Sequence, residues 1–158
     1  MSNSHAAWLL ISLSYAALEA GAAPAPPAAP YAGPIDIHLL PHSHQDAGFI
    51  VKYSHVRDKL CDRTYESIFE CLKADPKRTF NVAEVNFFSH WYDSRNSSTQ
   101  AVVKQLVAGG QYGFNEGGWV QPDEGCTHHL GRINQATLGQ EWLADRLGVY
   151  PQSGWCAG

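Results

Sequence analysis

The sequence has no basic stripe, no long apolar run and no dense cysteine framework, and each absence removes a class of function. Among its 158 residues the eleven Lys and Arg are scattered along the chain, giving a net charge of −4 and a pI near 6.0. That balance lacks the concentrated positive field of a nucleic-acid partner, so none is expected. No apolar stretch reaches the roughly 18 residues of a membrane span. The four cysteines, Cys61, Cys71, Cys126 and Cys156, show no C-x-x-C spacing of the kind that holds zinc. They are also too sparse for a disulfide-stapled scaffold; on one helix Cys61 and Cys71 would stand about 15 Å apart, beyond the roughly 7 Å reach of a disulfide. What is present is 44% apolar and 11% aromatic residues, enough for a buried core in a chain of single-domain size.

The first residues differ in composition from the rest. "AAWLLISLSYAALEAG", from Ala6, has the length of a signal-peptide core, and Ala20-Gly21-Ala22 offers a small-x-small site for cleavage after Ala22. The segment before it carries His5 but no Lys or Arg, and Glu19 sits close to the cut, so an alanine-rich leader is the competing reading. Residues 1–22 are thus expected to be a signal peptide, and residues 23–34, which contain "APAPPAAP", a stiff Pro/Ala linker. Asn96-Ser97-Ser98 is an N-glycosylation sequon, with meaning only in a chain that enters the secretory pathway. Together these features predict a chain that enters the secretory pathway and is glycosylated at Asn96.

From residue 35 onward, strand and helix patterns alternate. "IDIHLL", Ile35 to Leu40, lies between Pro34 and Pro41 and reads as a short buried strand. Val56, Leu60, Cys61, Tyr65, Ile68, Phe69 and Leu72 recur at helical spacing until Asp75-Pro76. "TFNVAEVNFF", Thr79 to Phe88, reads as a second strand. "SSTQAVVKQLVAGG" follows as a helix with Ser97 and Gln100 spaced as a capping box and Gly109-Gly110 as its stop. A third strand is expected over Gln111 to Glu116, and a third helix over Thr127 to Leu147 with Leu130, Ile133, Ala136, Leu143 and Leu147 on its buried side. The implied class is α/β, the first three strand–helix units of a parallel sheet, open or β/α barrel-like, incomplete as it stands.

In such folds, the loops at the C-terminal ends of the strands collect ligand-handling residues. Here they carry His42, His44 and Asp46; then His90, Trp91, Tyr92 and Asp93; then Trp119, Asp123 and Glu124. A turn after His44 would let its imidazole and the Asp46 carboxylate share a divalent ion, although clustered loop histidines are often simply solvated. Trp119 suits stacking on a sugar face, and equally suits packing in a core. His128-His129 read as an exposed helix start.

Four segments carry a family resemblance. "HLLPHSHQDAGF" resembles the P-H-[ST]-H-x-D-x-G-W signature of glycoside hydrolase family 38, the zinc-dependent α-mannosidases. "AEVNFFSHWY", "GFNEGGWVQPDEGCTHH" and "INQATLGQEWLADRLGVYPQSGW" are similar to later segments of that family, in order, so that residues 35–158 resemble the N-terminal portion of its catalytic domain. The resemblance implies a retaining exo-α-mannosidase acting on terminal mannose of N-glycan-derived oligosaccharides. It implies Zn2+ held by His44 and Asp46 together with a further Asp and a distant His, the further Asp also being the nucleophile that forms a glycosyl-enzyme. Phe49, where the family has tryptophan, Trp119 and Asp123 are the implied substrate contacts.

The family's W-x-[IL]-D-P-F-G-H-S segment should begin at Trp155, where this sequence reads "WCAG", so Gly158 takes the nucleophile's place. The resemblance thus predicts a truncated catalytic domain, inactive by itself, whose partners are a mannose-containing oligosaccharide and the remainder of the domain. Two alternatives stand beside it: a non-catalytic truncated product or binding remnant, and a zinc deacetylase or amidohydrolase using His42 and His44.

Overall fold

The structure is a computed structural model that describes residues 33–123, 125 and 127–155. The signal-peptide and linker expectations for residues 1–32 lie outside these residues, as do Glu124, Cys126 and Gly158. The chain divides into two units, Met1–Ile37 and His38–Gly158. In the first, Ile35 and Ile37 are exposed.

The second unit is a mixed α/β body around a two-stranded parallel sheet. Its elements are a single turn α1 (Tyr53–His55), a π-helical stretch (Val56–Cys61), α2 (Asp62–Ala74), β1 (Phe80–Val82), α3 (Val85–Asp93), α4 (Ser97–Ala108), β2 (Tyr112–Phe114) and α5 (His129–Leu147). β1 and β2 pair in register Phe80–Tyr112, Asn81–Gly113 and Val82–Phe114, with α3 and α4 forming the crossover that parallel strands require. On the other side of β1, among the described residues, the chain adds only an isolated parallel bridge between His42 and Asn81.

This corrects the expected first strand. Leu39 and Leu40 are exposed, and the run preceding the bridge has no strand pairing among the described residues. The second expected strand also changes: after Val82 the backbone turns at Glu84 and continues as α3. A continuous apolar run does not distinguish a buried strand from a buried helix, and α3 is buried nearly all round, with His90 and Asp93 its exposed residues.

Phe88 on α3 lies among the rings of Tyr65, Trp91, Tyr92, Tyr112, Phe114 and Trp142, at centroid distances of 5.3 to 6.1 Å. These offset and edge contacts suit the aromatic quadrupoles and tie α2, α3, β2 and α5 into one core. The first N–H groups of α3 find partners without a side-chain cap: Val85 N–H donates to the Gly118 carbonyl and Asn86 N–H to that of Trp119. The same loop presses on α5, where a β-carbon on Gly139 would fall 2.1 Å from the Gly117 carbonyl oxygen. Only glycine permits that approach.

Two finer expectations also shift. The N-cap of α4 is Asn96, whose Oδ1 accepts from Thr99 N–H, while the Gln100 side chain donates to the Tyr92 and Arg95 carbonyls. On α5, Leu143 is buried but Leu130 and Ile133 are exposed.

Candidate metal and substrate site

The site begins where residues 41–43 are stitched to β1. Asn81 N–H donates to the Pro41 carbonyl, Ser43 N–H to that of Asn81, and Ala83 N–H to the Ser43 hydroxyl. Ser43 is therefore buried, and alternation along extended backbone turns His42 and His44 to the opposite side. Beyond Asp46 the chain bends through Gly48, at φ +91°, with its N–H donating to the Asp46 carbonyl. The left-handed backbone there suits glycine.

His44 Nε2 and Asp46 Oδ1 are 4.0 Å apart, with both side chains more than half exposed. They line an open cleft of about 240 Å³ together with Phe49, Ile50, Val51 and Leu60. Two metal bonds of about 2 Å meeting at a tetrahedral angle place their donors roughly 3.3 Å apart, so this pair fits one edge of a zinc site with a small closing movement. Among the described residues, no group of three or more His, Cys, Asp or Glu could hold a metal ion.

The other candidate residues lie elsewhere. His42 meets Trp155 edge-on at 4.7 Å, and its Nδ1 is 2.7 Å from the Ser43 carbonyl. Trp91 and Tyr92, expected on a loop, are core residues of α3, and the Trp91 indole donates to Glu66. Trp119 packs against the core and lines a separate depression with His90, Asp93, Trp142 and Arg146. Asp123 serves a local turn, accepting from Gly125 N–H at 2.8 Å. His128 caps α5, where its ring accepts from Leu130 N–H. Asn96 is exposed. Of the expected ligand and substrate residues, the structure brings His44, Asp46 and Phe49 to one cleft and leaves Trp119 and Asp123 outside its lining.

Glu84 and Gln121, which motif reading missed, hold this cleft from below. Glu84 is fully buried, and its Oε1 accepts from the Gln45 backbone N–H at 2.8 Å, midway between His44 and Asp46. Burial pushes its carboxyl above the usual range, opposed by the Ser43 hydroxyl, the Gln45 N–H and the nearby His44 and His42. The same burial, with Glu84 and Asp62 adding to it, raises the Cys61 thiol to about 12, which keeps it inert. The Gln121 amide lies between His44, Glu84 and Trp155. An indole N–H only donates, so the amide oxygen faces Trp155 Nε1, and the amide nitrogen stands 2.7 Å from His44 Nδ1 and 3.1 Å from Glu84 Oε1. One signal of Glu84 was available: a lone acid inside the apolar run 82–88 must find a buried partner.

Comparison with known proteins agrees with the segment resemblance. Residues 34–157 match the model of the glycosyl hydrolases family 38 N-terminal domain. The chain is 38% identical over 121 residues to alpha-mannosidase B of Dictyostelium discoideum, covering 77% of this chain and 12% of that protein. It is 36% identical over 121 residues to mouse alpha-mannosidase 2x and 35% identical over 123 residues to human alpha-mannosidase 2, in each case covering 77% of this chain. It spans 10% and 11% of those two relatives' lengths.

Proposed function

The chain belongs to glycosyl hydrolase family 38, and from that premise we propose that it carries the first part of a zinc-dependent, retaining α-mannosidase site acting on terminal mannose of N-glycan-derived oligosaccharides. The observation that carries the proposal is the pairing of His44 Nε2 and Asp46 Oδ1 at 4.0 Å in one cleft, from the two motif positions that ligate metal in the family. Zinc bound there supplies Lewis-acid polarisation and a template for vicinal hydroxyls. The chain's own residues orient it: Ser43 locks the segment onto β1, Glu84 fixes the intervening Gln45 amide, and Phe49 offers an exposed ring for the apolar face of a sugar.

Retaining hydrolysis needs two carboxyl groups roughly 5 Å apart, one the nucleophile and one the acid/base. Asp46 would be taken up by the metal, and Asp123 accepts from its own turn, so neither is assigned those roles. We read this sequence as the N-terminal part of a larger β/α barrel-like catalytic domain that supplies the rest of the site. We propose further, from the leader and the sequon, that the protein enters the secretory pathway and works in a lysosome, a vacuole or outside the cell. The Asn96 cap uses the side-chain oxygen, whereas glycosylation uses its nitrogen, so the two roles do not compete.

The test is release of 4-nitrophenol from an aryl α-mannoside. The 158-residue chain should give none, with or without added zinc. A chain continued through the family's remaining segments should be active, and should lose that activity on His44→Ala or Asp46→Ala. Turnover by the 158-residue chain, abolished by Asp46→Ala, would overturn the division of the site.

A further inference from the structure

A neutral imidazole carries one proton, and whichever nitrogen accepts a hydrogen bond is the one without it. At His44 the Nδ1 nitrogen faces the Gln121 amide nitrogen at 2.7 Å, while Nε2 faces Asp46. Gln121 cannot readily turn over, because its oxygen is held by the donor-only indole of Trp155 and its nitrogen also serves Glu84 Oε1.

We propose that Gln121 is a positioning residue that sets the tautomer of His44, holding Nδ1 as the acceptor and leaving the proton on Nε2. In this arrangement the ring presents an N–H toward Asp46 rather than a lone pair. For Nε2 to take a metal, the proton must move to Nδ1, where it would meet the amide N–H of Gln121. The amide must then rotate to offer its oxygen to His44, which turns its nitrogen against the Trp155 N–H, donor against donor. Seating of Trp155 and metal loading at His44 are therefore opposed through a single side chain. The hydrogen-bond assignment stands independently of the mannosidase reading; its consequence for metal loading rests on that reading.

The ring nitrogens of His44 can be read in the metal-free 158-residue chain by long-range proton–nitrogen correlation NMR, under conditions where the spectrum itself shows a neutral ring. The expected result is an unprotonated Nδ1 and a protonated Nε2. Gln121→Met fills the same space without hydrogen-bonding groups and should let a mixture of tautomers appear. Gln121→Glu replaces the donor by an acceptor and should move the proton to Nδ1. Trp155→Phe releases the amide from its far end and should weaken the tautomer bias without altering any atom that touches His44. Titration with Zn2+ alone should show a midpoint about tenfold lower for Gln121→Glu, in the range by which partners of metal-bound histidines tune affinity. A protonated Nδ1 in the parent chain, or ring shifts unchanged across the variants, would refute the proposal. Shifts that move as described without zinc binding in any variant would uphold it and defeat the metal reading instead.

Discussion

Residues 38–51 and 80–92 are both rich in large apolar side chains, yet they end in opposite environments. In the second stretch Val82, Val85, Phe88 and Trp91 are at 0% exposure; in the first, Leu39 stands at 88%, Ile50 at 86% and Phe49 at 79%. The difference lies in neighbours. β1 has β2 beside it in full register and α3 runs on from it into the aromatic cluster, whereas residues 38–51 meet the sheet at one bridge. Apolar content supplies the tendency to be buried, and a hydrogen-bonded or packed partner decides whether it is realised. The candidate site sits on the boundary, with His44 and Asp46 on the exposed stretch and Glu84 rooted in the buried one.

The contrast can be broken most severely from the buried side. Phe88→Ala removes the ring around which the cluster is arranged and should cost about 3–5 kcal/mol, read as a fall in the guanidinium midpoint. Gly139→Ala should cost about 1–3 kcal/mol, since its methyl would meet a backbone carbonyl 2.1 Å away rather than a movable side chain. An unchanged midpoint for Gly139→Ala would mean that the 117–119 loop yields freely.

At the boundary the effect depends on pH. Because burial raises the Glu84 carboxyl in the folded state, the folded chain holds this proton more readily than the unfolded chain. That group costs no stability below its unfolded pKa, costs progressively more as pH rises from there toward its folded pKa, and carries the full penalty above it. The stability of the parent chain relative to Glu84→Gln should therefore improve on acidification; denaturant melts across a pH series showing the opposite slope would place the charge elsewhere. The smallest effect belongs to the exposed stretch. Leu39→Lys with Ile50→Glu should shift stability by under about 0.5 kcal/mol, while reducing binding of an apolar dye and self-association at the exposed apolar surface.

Sequence reading recovered what local patterns encode. The helices over 62–74, 97–108 and 129–147 followed from three- and four-residue spacing and from the turn residues beyond them, and β2 from its short bounded run. It failed at Val85, because a run buried on all sides has no period to read, and at Ile35–Leu40, because an apolar run does not announce a missing neighbour. Within the site, His44 and Asp46 were legible as a motif two residues apart. Glu84 was legible only as a lone acid in an apolar run; what it holds was not, since its partner Gln45 lies 39 residues away and only folding brings the two together. Gln121 was hidden for the same reason, as its contacts to His44 and Trp155 are tertiary.

The π-helical stretch Val56–Cys61 has a consequence for geometry beyond its own turn. Asp62 N–H donates to the Arg57 carbonyl, five residues back, so the helix absorbs one residue more than an α-helix would over that span. The segments on either side are thereby set about 100° out of phase with an uninterrupted helix. Leu60 leaves the stripe of Tyr65, Phe69 and Leu72 and joins Val56 in lining the cleft. One helix thus serves two azimuths, its early residues addressed to the site and its later ones to the aromatic core. Deleting one residue there would act as a rotation, swinging the cleft wall away from His44 and Asp46 while leaving the core half of the helix in its seat.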